Sequence, residues 1–355
     1  MIMRKEAFFF ILSIAIVMSG CATESDESNI IQDDVEQFDA QDKATGEVKE
    51  QNIPAEPETA DPLDDSNADE EEDSQETSEQ WESGKLVIPG NFADADIVKL
   101  SDGTYRIYYG IEPEVPGNNL EVYSATSSDG KMWKQDTGTR KTQSVFPDIV
   151  RTHDGKWRMY FQQQSLIKSA KSNDGLKWTD EPGIRIDSAN PFGLQFEAVV
   201  APTTLLLDDN TYLMVYSGRI NKKYDVNGAK VPNNDMRVLV WATSIDGLSW
   251  NKKGIALDAR NPVLEGFADG PDLVHWDDGT IRLYFWGYKG IYYSTFENGK
   301  FAEPVIIIKP PNPQNYLYPS NPPGDPTLIK IGMSWHLYYG IWKNGIFYTT
   351  LDQIK

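Results

Sequence analysis

One phrase returns five times in this 355-residue chain, and no other feature restricts the fold so sharply. The copies are ADADIVKLSDGTYRIYYG from Ala93, FPDIVRTHDGKWRMYFQ from Phe146, APTTLLLDDNTYLMVYSG from Ala201, GPDLVHWDDGTIRLYFWG from Gly270 and DPTLIKIGMSWHLYYG from Asp325. Each joins two runs of strand length, rich in β-branched and aromatic residues, through a turn that is usually Asp-Gly, which is the pattern of a β-hairpin. A second phrase follows the first three copies: SSDGKMW from Ser127, SNDGLKW from Ser172 and SIDGLSW from Ser244. Each lies after a third β run and before a fourth. In the fourth copy the corresponding piece is GIYYSTFENGKFAEP, with Asn298 and Gly299 at the turn. Repeats spaced by about 50 to 70 residues, each with four strands, predict an all-β, five-bladed β-propeller over residues 83–355. Trp133, Trp178 and Trp250 in the second phrase are expected to pack between blades rather than to face sugars. The fifth unit stops short of a fourth strand. The run KLVIP at 85–89 is predicted to supply it and close the ring, which leaves little strand edge exposed and suits a monomer.

The chain ahead of the repeats has a different character. Arg4 and Lys5, an apolar run from Ala7 to Met18 and then small residues make residues 1–20 a signal peptide, too short in its apolar part for a comfortable membrane span. Met18, Ser19, Gly20 and Cys21 resemble a bacterial lipobox, so Cys21, the single cysteine of the chain, is the expected lipidation site. Between Ala22 and Glu82 stand 23 Asp plus Glu against 2 Lys, with few large apolar residues. Such a stretch cannot offset its ordering entropy, and residues 21–82 are read as a lipidated cysteine followed by a disordered acidic linker. Residues 83–355 hold 29 Lys plus Arg against 30 Asp plus Glu, so the folded part is nearly neutral. No basic stripe marks a nucleic-acid partner. The expected location is extracytoplasmic, with a membrane as partner through the lipid.

In a propeller blade the first strand is innermost, and its start and the end of the second strand meet at one mouth of the central channel. Aligned on turns and prolines, the five starts read Asp94-Ala95-Asp96, Phe146-Pro147-Asp148, Ala201-Pro202-Thr203, Gly270-Pro271-Asp272 and Asp325-Pro326-Thr327. Four of five blades carry a carboxylate there, and Glu197, Glu265 and Asp269 stand just upstream. Aspartates beside Gly and Pro often only satisfy backbone donors in turns. As a set, however, like charges crowded at a channel mouth cost stability unless they share protons, bind a cation or serve a substrate.

The phrase ADADIVKLSDGTYRIYYG resembles the first-blade motif of glycoside hydrolase family 43 and its relatives in families 32 and 68, the arabinanase, invertase and levansucrase group. FADGPDLVHWDDGTIRLYF resembles the blade that carries their general acid, a Glu two residues before a Pro. The likeness covers residues 84–355 as architecture. It implies that Asp94 is the general base or nucleophile and that Asp269, two residues before Pro271, occupies the acid position. Two departures stand out: the acid is Asp rather than Glu, and Ala201 stands where a third aspartate belongs. Glu197 is the alternative acid, with Asp148 or Asp325 to tune it. The implied reaction is glycosidic cleavage by two carboxyl groups of opposite duty, one giving a proton and the other activating water or attacking the sugar.

Asp96, Asp272, Asp325, Gln163, Arg219, Trp286 and Trp342 are the expected carbohydrate-binding residues, since aromatic planes beside amide and guanidinium donors suit sugars. The three histidines lie at nonmotif spacing, and neither a zinc set, a phosphate loop nor a Gly-x-Ser-x-Gly elbow is present. No cofactor is expected, apart from a calcium ion that the carboxylate-lined channel leaves open. Two functions follow: a tethered glycosidase acting on extracellular oligo- or polysaccharide, or a non-catalytic propeller lipoprotein that binds carbohydrate or serves as a scaffold.

Overall fold

In a computed structural model the described residues are 84–111, 119–189, 191–223, 235–309, 323–341 and 343–351, so the signal peptide, Cys21 and the acidic linker lie outside them. Every regular element among these residues is a β-strand. The predicted hairpins form and extend into five antiparallel sheets. Blade 1 contains Phe92–Lys99, Tyr105–Ile111, Glu121–Ser127 and Lys134–Gln135; blade 2 contains Val145–Arg151, Trp157–Gln163, Leu166–Ser172 and Thr179–Asp180. Blade 3 has Ala198–Leu206, Tyr212–Lys223, Asp235–Ser244 and Asn251–Leu257, and blade 4 has Asp269–His275, Ile281–Gly287, Gly290–Glu297 and Lys300–Phe301. Blade 5 has only Gly324–Ile331, Ser334–Ile341 and Gly345–Leu351 from its own repeat. Its fourth strand is Lys85–Pro89, which pairs antiparallel with Gly345–Leu351, Lys85 opposite Tyr348. The ring is thus closed by hydrogen bonds between the first and last segments, as the KLVIP run predicts.

All five first strands are distorted at the same place. The register with the second strand slips between Ala93 and Asp96, Val145 and Asp148, Val200 and Thr203, Asp269 and Asp272, and Gly324 and Thr327. Each slip is a β-bulge, with one extra residue on the inner strand. Its first residue is left-handed in every blade, with φ of 54° at Asp94, 51° at Phe146, 46° at Ala201, 54° at Gly270 and 48° at Asp325. Its second residue is proline in four blades, where the missing N–H costs nothing because a bulge leaves that position out of the ladder.

The residue after the bulge then links one blade to the next. Asp96 accepts from the Ile149 N–H at 2.7 Å, Asp148 from Thr204 at 3.0 Å, Thr203 Oγ1 from Leu273 at 3.0 Å and Asp272 from Leu328 at 2.8 Å. These bonds run from blade to blade around the channel. Thr327, at the fifth position, makes no such bond, and the strand pairing of Lys85–Pro89 bridges blade 5 instead.

Between blades lie five apolar clusters, one per seam; at the seam of blades 3 and 4, for example, Leu213, Val215 and Leu239 meet Leu273, Leu283 and Phe285. On the rim away from the strand starts, the Ser-x-Asp-Gly-x-x-Trp turns lock three seams. The Ser172 hydroxyl and Asp174 carboxylate cap the turn's own N–H groups, which leaves the Gly175 carbonyl to accept from Tyr108 Oη of the previous blade at 2.8 Å. Tyr160 and Tyr338 bond Gly247 and Gly130 in the same way. Trp178, Trp250 and Trp133 meet these tyrosines edge to face, at 6.0, 5.6 and 5.8 Å between ring centroids. The tryptophans therefore pack between blades, as the sequence suggests. At the seam of blades 3 and 4 Val215 stands at the tyrosine position, and blade 4 has no such turn. Blade 5 also lacks the turn, and Trp276 and Trp335 stack at 4.3 Å across its seam with blade 4.

The lock makes a test. A Cβ on Gly175, whose φ is +70°, would lie 2.5 Å from Tyr108 Oη and 2.9 Å from Arg106 Nη1, whereas one on Gly155, at +74°, would meet nothing within 4 Å. Gly175→Ala is expected to lower stability by about 2–4 kcal/mol, from overpacking added to left-handed strain, and Gly155→Ala by about 1 kcal/mol from strain alone. Equilibrium denaturation measures both, and equal losses would show that the turn does not bear on the neighbouring blade.

Candidate active site

The bulges sort the acidic residues of the strand starts into two layers. Side chains at the first bulge position face the mouth; those just after it face the channel. A cavity of about 30 Å³ at the mouth is lined by Asp94, Phe146, Ala201, Gly270 and Asp325, together with Ala95, Pro147, Pro202, Pro271 and Pro326. On the far side of the bulges a second cavity, of about 270 Å³, is lined by Asp96, Asp148, Thr203 and Asp272 and reaches Lys99 and Arg151.

Asp94 is 5% exposed and sits at the cavity of the mouth. Asp325 is half-buried there, and its Oδ1 accepts the indole N–H of Trp286 at 3.0 Å. Asp269 is 1% exposed and lies beside Arg237, whose Nη1 donates to Asp269 Oδ2. That guanidinium also lies over the Phe267 ring, 5.2 Å from its centroid. A buried carboxylate in an ion pair is an anchor between blades 3 and 4, because leaving either charge without the other would be costly. Glu197 is exposed, and its Oε2 is 3.6 Å from Arg219 Nη2; Glu265 pairs with Lys289 at 2.7 Å.

The channel layer has a different task. Asp96, Asp148 and Asp272 each give an oxygen to the next blade's backbone, which ties them to ring assembly and places them on the opposite side of the bulges from Asp94. Burial pushes Asp96 up to about 7, against the lowering effect of the N–H bonds from Ile149 and Ile97. Burial and then the nearby Asp96 charge hold Asp148 and Asp272 well above the usual carboxylate range. Among the described residues no group of three or more His, Cys, Asp or Glu side chains is arranged to hold a metal ion.

The expected sugar contacts also separate. Trp286 is 8% exposed and packs against Phe267 at 4.7 Å, so its face is not a platform. Gln163 Oε1 accepts from Lys168 at 2.8 Å. Arg219 is half-exposed on the rim, directly opposite Arg237 in the strand pair. Trp342 lies outside the described residues. Arg237 and the notch at Gly270 had no signal in the sequence beyond a charge at a strand start and a glycine before a proline.

No protein-family model matches the chain, and no curated protein sequence matches it. Solved structures do. A putative glycosidase from Bacteroides thetaiotaomicron superposes with a TM-score of 0.55 at 16% identity, over 75% of this chain and 88% of that one. A glycoside hydrolase family 43 β-xylosidase/α-arabinofuranosidase from a compost microbial metagenome, in complex with xylotriose, gives 0.53 at 18% identity, over 77% and 96%. A protein of unknown function from Dyadobacter fermentans gives 0.51 at 10%, over 76% and 98%.

The channel carboxyls make stability depend on pH. The folded state holds the Asp96 proton more tightly than the unfolded chain, where aspartate titrates near 4. Stability from this group is therefore full below pH about 4 and is lost as the pH rises through about 7. Asp96→Asn keeps an acceptor for Ile149 and removes the titration, and its Tm at pH 8 is expected to exceed the wild type's by about 2 °C or more, with no gain at pH 4. Equal Tm differences at both pH values would show that Asp96 is ionised throughout.

At these identities the likeness establishes architecture: the chain has the five-bladed β-propeller fold of the glycoside hydrolases it superposes on.

Proposed function

We propose that this protein is a glycoside hydrolase, tethered to a cell surface by lipid at Cys21 and acting on extracellular oligo- or polysaccharide. The observation that carries the reading is the placement of carboxyl groups at left-handed bulge positions around the mouth, with Asp94 in the place that the family resemblance gives to the base or nucleophile. Strained backbone that presents a polar side chain into a cavity is a frequent device of active sites. The fold is one on which solved glycosidases are built, and one of the similar structures holds a xylo-oligosaccharide. Cleavage needs a proton delivered to the leaving oxygen and a water or carboxylate directed at the anomeric carbon. In this reading Asp94 performs the second duty. In the same reading the acidic stretch between Cys21 and the propeller, with 23 Asp plus Glu against 2 Lys, serves as the tether.

The full-length protein, screened on aryl glycosides and on plant, fungal and bacterial polysaccharides, is expected to turn over at least one of them, and Asp94→Asn to lose about a hundredfold or more in kcat. Glycan binding that survives this substitution, with no turnover of any substrate by the wild type, would identify a binding propeller instead. Separately, intact-mass measurement of the mature protein is expected to show an acylated N-terminal Cys21. An unmodified cysteine there would remove the tether.

A further inference from the structure

We infer that Asp325 is the second reacting carboxyl, paired with Asp94 across the seam of blades 5 and 1; this rests on the glycosidase reading above. Of the acidic residues near the strand starts, only Asp94 and Asp325 line the cavity at the mouth among the described residues. Asp269 is engaged with Arg237, Glu265 with Lys289, and Glu197 lies on the exposed rim beside Arg219. Asp96, Asp148 and Asp272 face the other cavity.

The two positions are neighbours in the ring. Gly340, on the second strand of blade 5, lies against both starts: a Cβ there would be 3.7 Å from the Gly324 carbonyl oxygen and 3.8 Å from Ala93 Cα, the residues just before Asp325 and Asp94. The other three left-handed positions hold Phe146, Ala201 and Gly270. Placing two like charges in adjacent seats of an otherwise apolar ring costs stability, and the surroundings accommodate that cost at Asp325 in particular. Gly270, on blade 4, opens a notch for it, since a Cβ there would overlap Asp325 Oδ1 and come within 2.9 Å of Asp325 Cα and of Trp286 Cδ1. The Trp286 indole N–H then fixes the carboxyl plane by donating to Oδ1 at 3.0 Å, a bond available whether Oδ2 is protonated or not. The cavity of about 30 Å³ that both groups line has room for a water molecule.

These placements assign the duties. Asp94, as carboxylate, removes a proton from water while the water oxygen bonds to the anomeric carbon. Asp325 gives its proton to the glycosidic oxygen as the bond from that oxygen to the anomeric carbon breaks. One water is consumed, two hydroxyl-ended fragments leave, and the two carboxyls have exchanged protonation states, which solvent restores. Trp286 is a positioning residue that acts through Asp325.

The test uses the full-length protein and the sugar that the screen identifies, as a dinitrophenyl glycoside, whose leaving group needs no proton, and as the unactivated alkyl glycoside. Asp325→Asn is expected to lose about 10²–10⁴-fold in kcat on the alkyl glycoside, to stay within about tenfold of wild type on the dinitrophenyl glycoside, and to lose the alkaline limb of the pH profile. Asp94→Asn should be impaired on both. Trp286→Phe, which keeps the ring and deletes the N–H, should shift that alkaline limb without changing KM. An active wild type in which Asp325→Asn is unaffected, or is equally impaired on both substrates, overturns the assignment and leaves the glycosidase reading standing. A wild type inert on every substrate overturns both. Thermal melts of each variant separate loss of function from loss of fold, and Asn at 325 retains an acceptor for Trp286 and similar volume.

Discussion

The one-residue bulge at the start of every first strand is the constraint on which the rest of this propeller depends. A regular strand would place residues 94 and 96 on the same face, both directed toward one space. The extra residue breaks that alternation. It turns the third side chain of each triplet into the channel, where in four of the five blades it accepts the next blade's N–H, and leaves the first at the mouth in a left-handed conformation. Ring assembly and the display of mouth residues are therefore consequences of one backbone distortion. Any sequence that keeps the bulge keeps the ring and is free to change what the mouth carries, which fits the presence of Asp, Phe, Ala, Gly and Asp at five equivalent seats.

Much of this was legible in the chain. The recurrent proline fixes the register of the triplets, because a residue without an N–H is tolerated only where the ladder is interrupted. The closing strand could be read from an incomplete fifth repeat and an unassigned β run. What the repeat could not convey was depth. Aligned as letters, Asp94 and Asp96 belong to one acidic cluster; in space they lie on either side of the bulge, one at the mouth and one tied to blade 2. The partnership of Asp269 with Arg237 joins two blades through side chains, and no local periodicity encodes it. Trp286 was misleading for a related reason. An aromatic residue at the end of a second strand suggests a sugar-facing ring, yet its neighbours Phe267 and Gly324 cover its faces and leave only the indole N–H with a directed task.

The seams also show how an internal repeat keeps its parts consistent. Wherever a blade carries the Ser-x-Asp-Gly-x-x-Trp turn, the preceding blade carries the tyrosine that bonds it, and where blade 4 lacks the turn, blade 3 carries Val215. The two features are one interaction written in two places. At the next seam the match ends: blade 5 lacks the turn, yet blade 4 keeps the buried Tyr284 at the tyrosine position.

On the rim away from the strand starts, blades 1, 2, 3 and 5 are fastened to a neighbour by at least one tyrosine lock, while blade 4 is held by other side chains: Arg237 donates to Asp269 and the Leu273 N–H to Thr203 on the blade 3 side, and Lys330 and Trp335 donate to Asp277 and Trp286 to Asp325 on the blade 5 side. Dispersion and burial resist separation but have little preference for one angle over another, unlike a hydrogen bond aimed at a carbonyl. Every seam of the wheel thus has directed contacts or strand pairing beside its apolar cluster, and blade 4 differs in which groups supply them. Because Gly270 and Trp286 belong to blade 4 and Asp325 to blade 5, the notch in which Asp325 sits is set by how these two blades meet, and the bonds that fix their seam also fix the seat of the carboxyl.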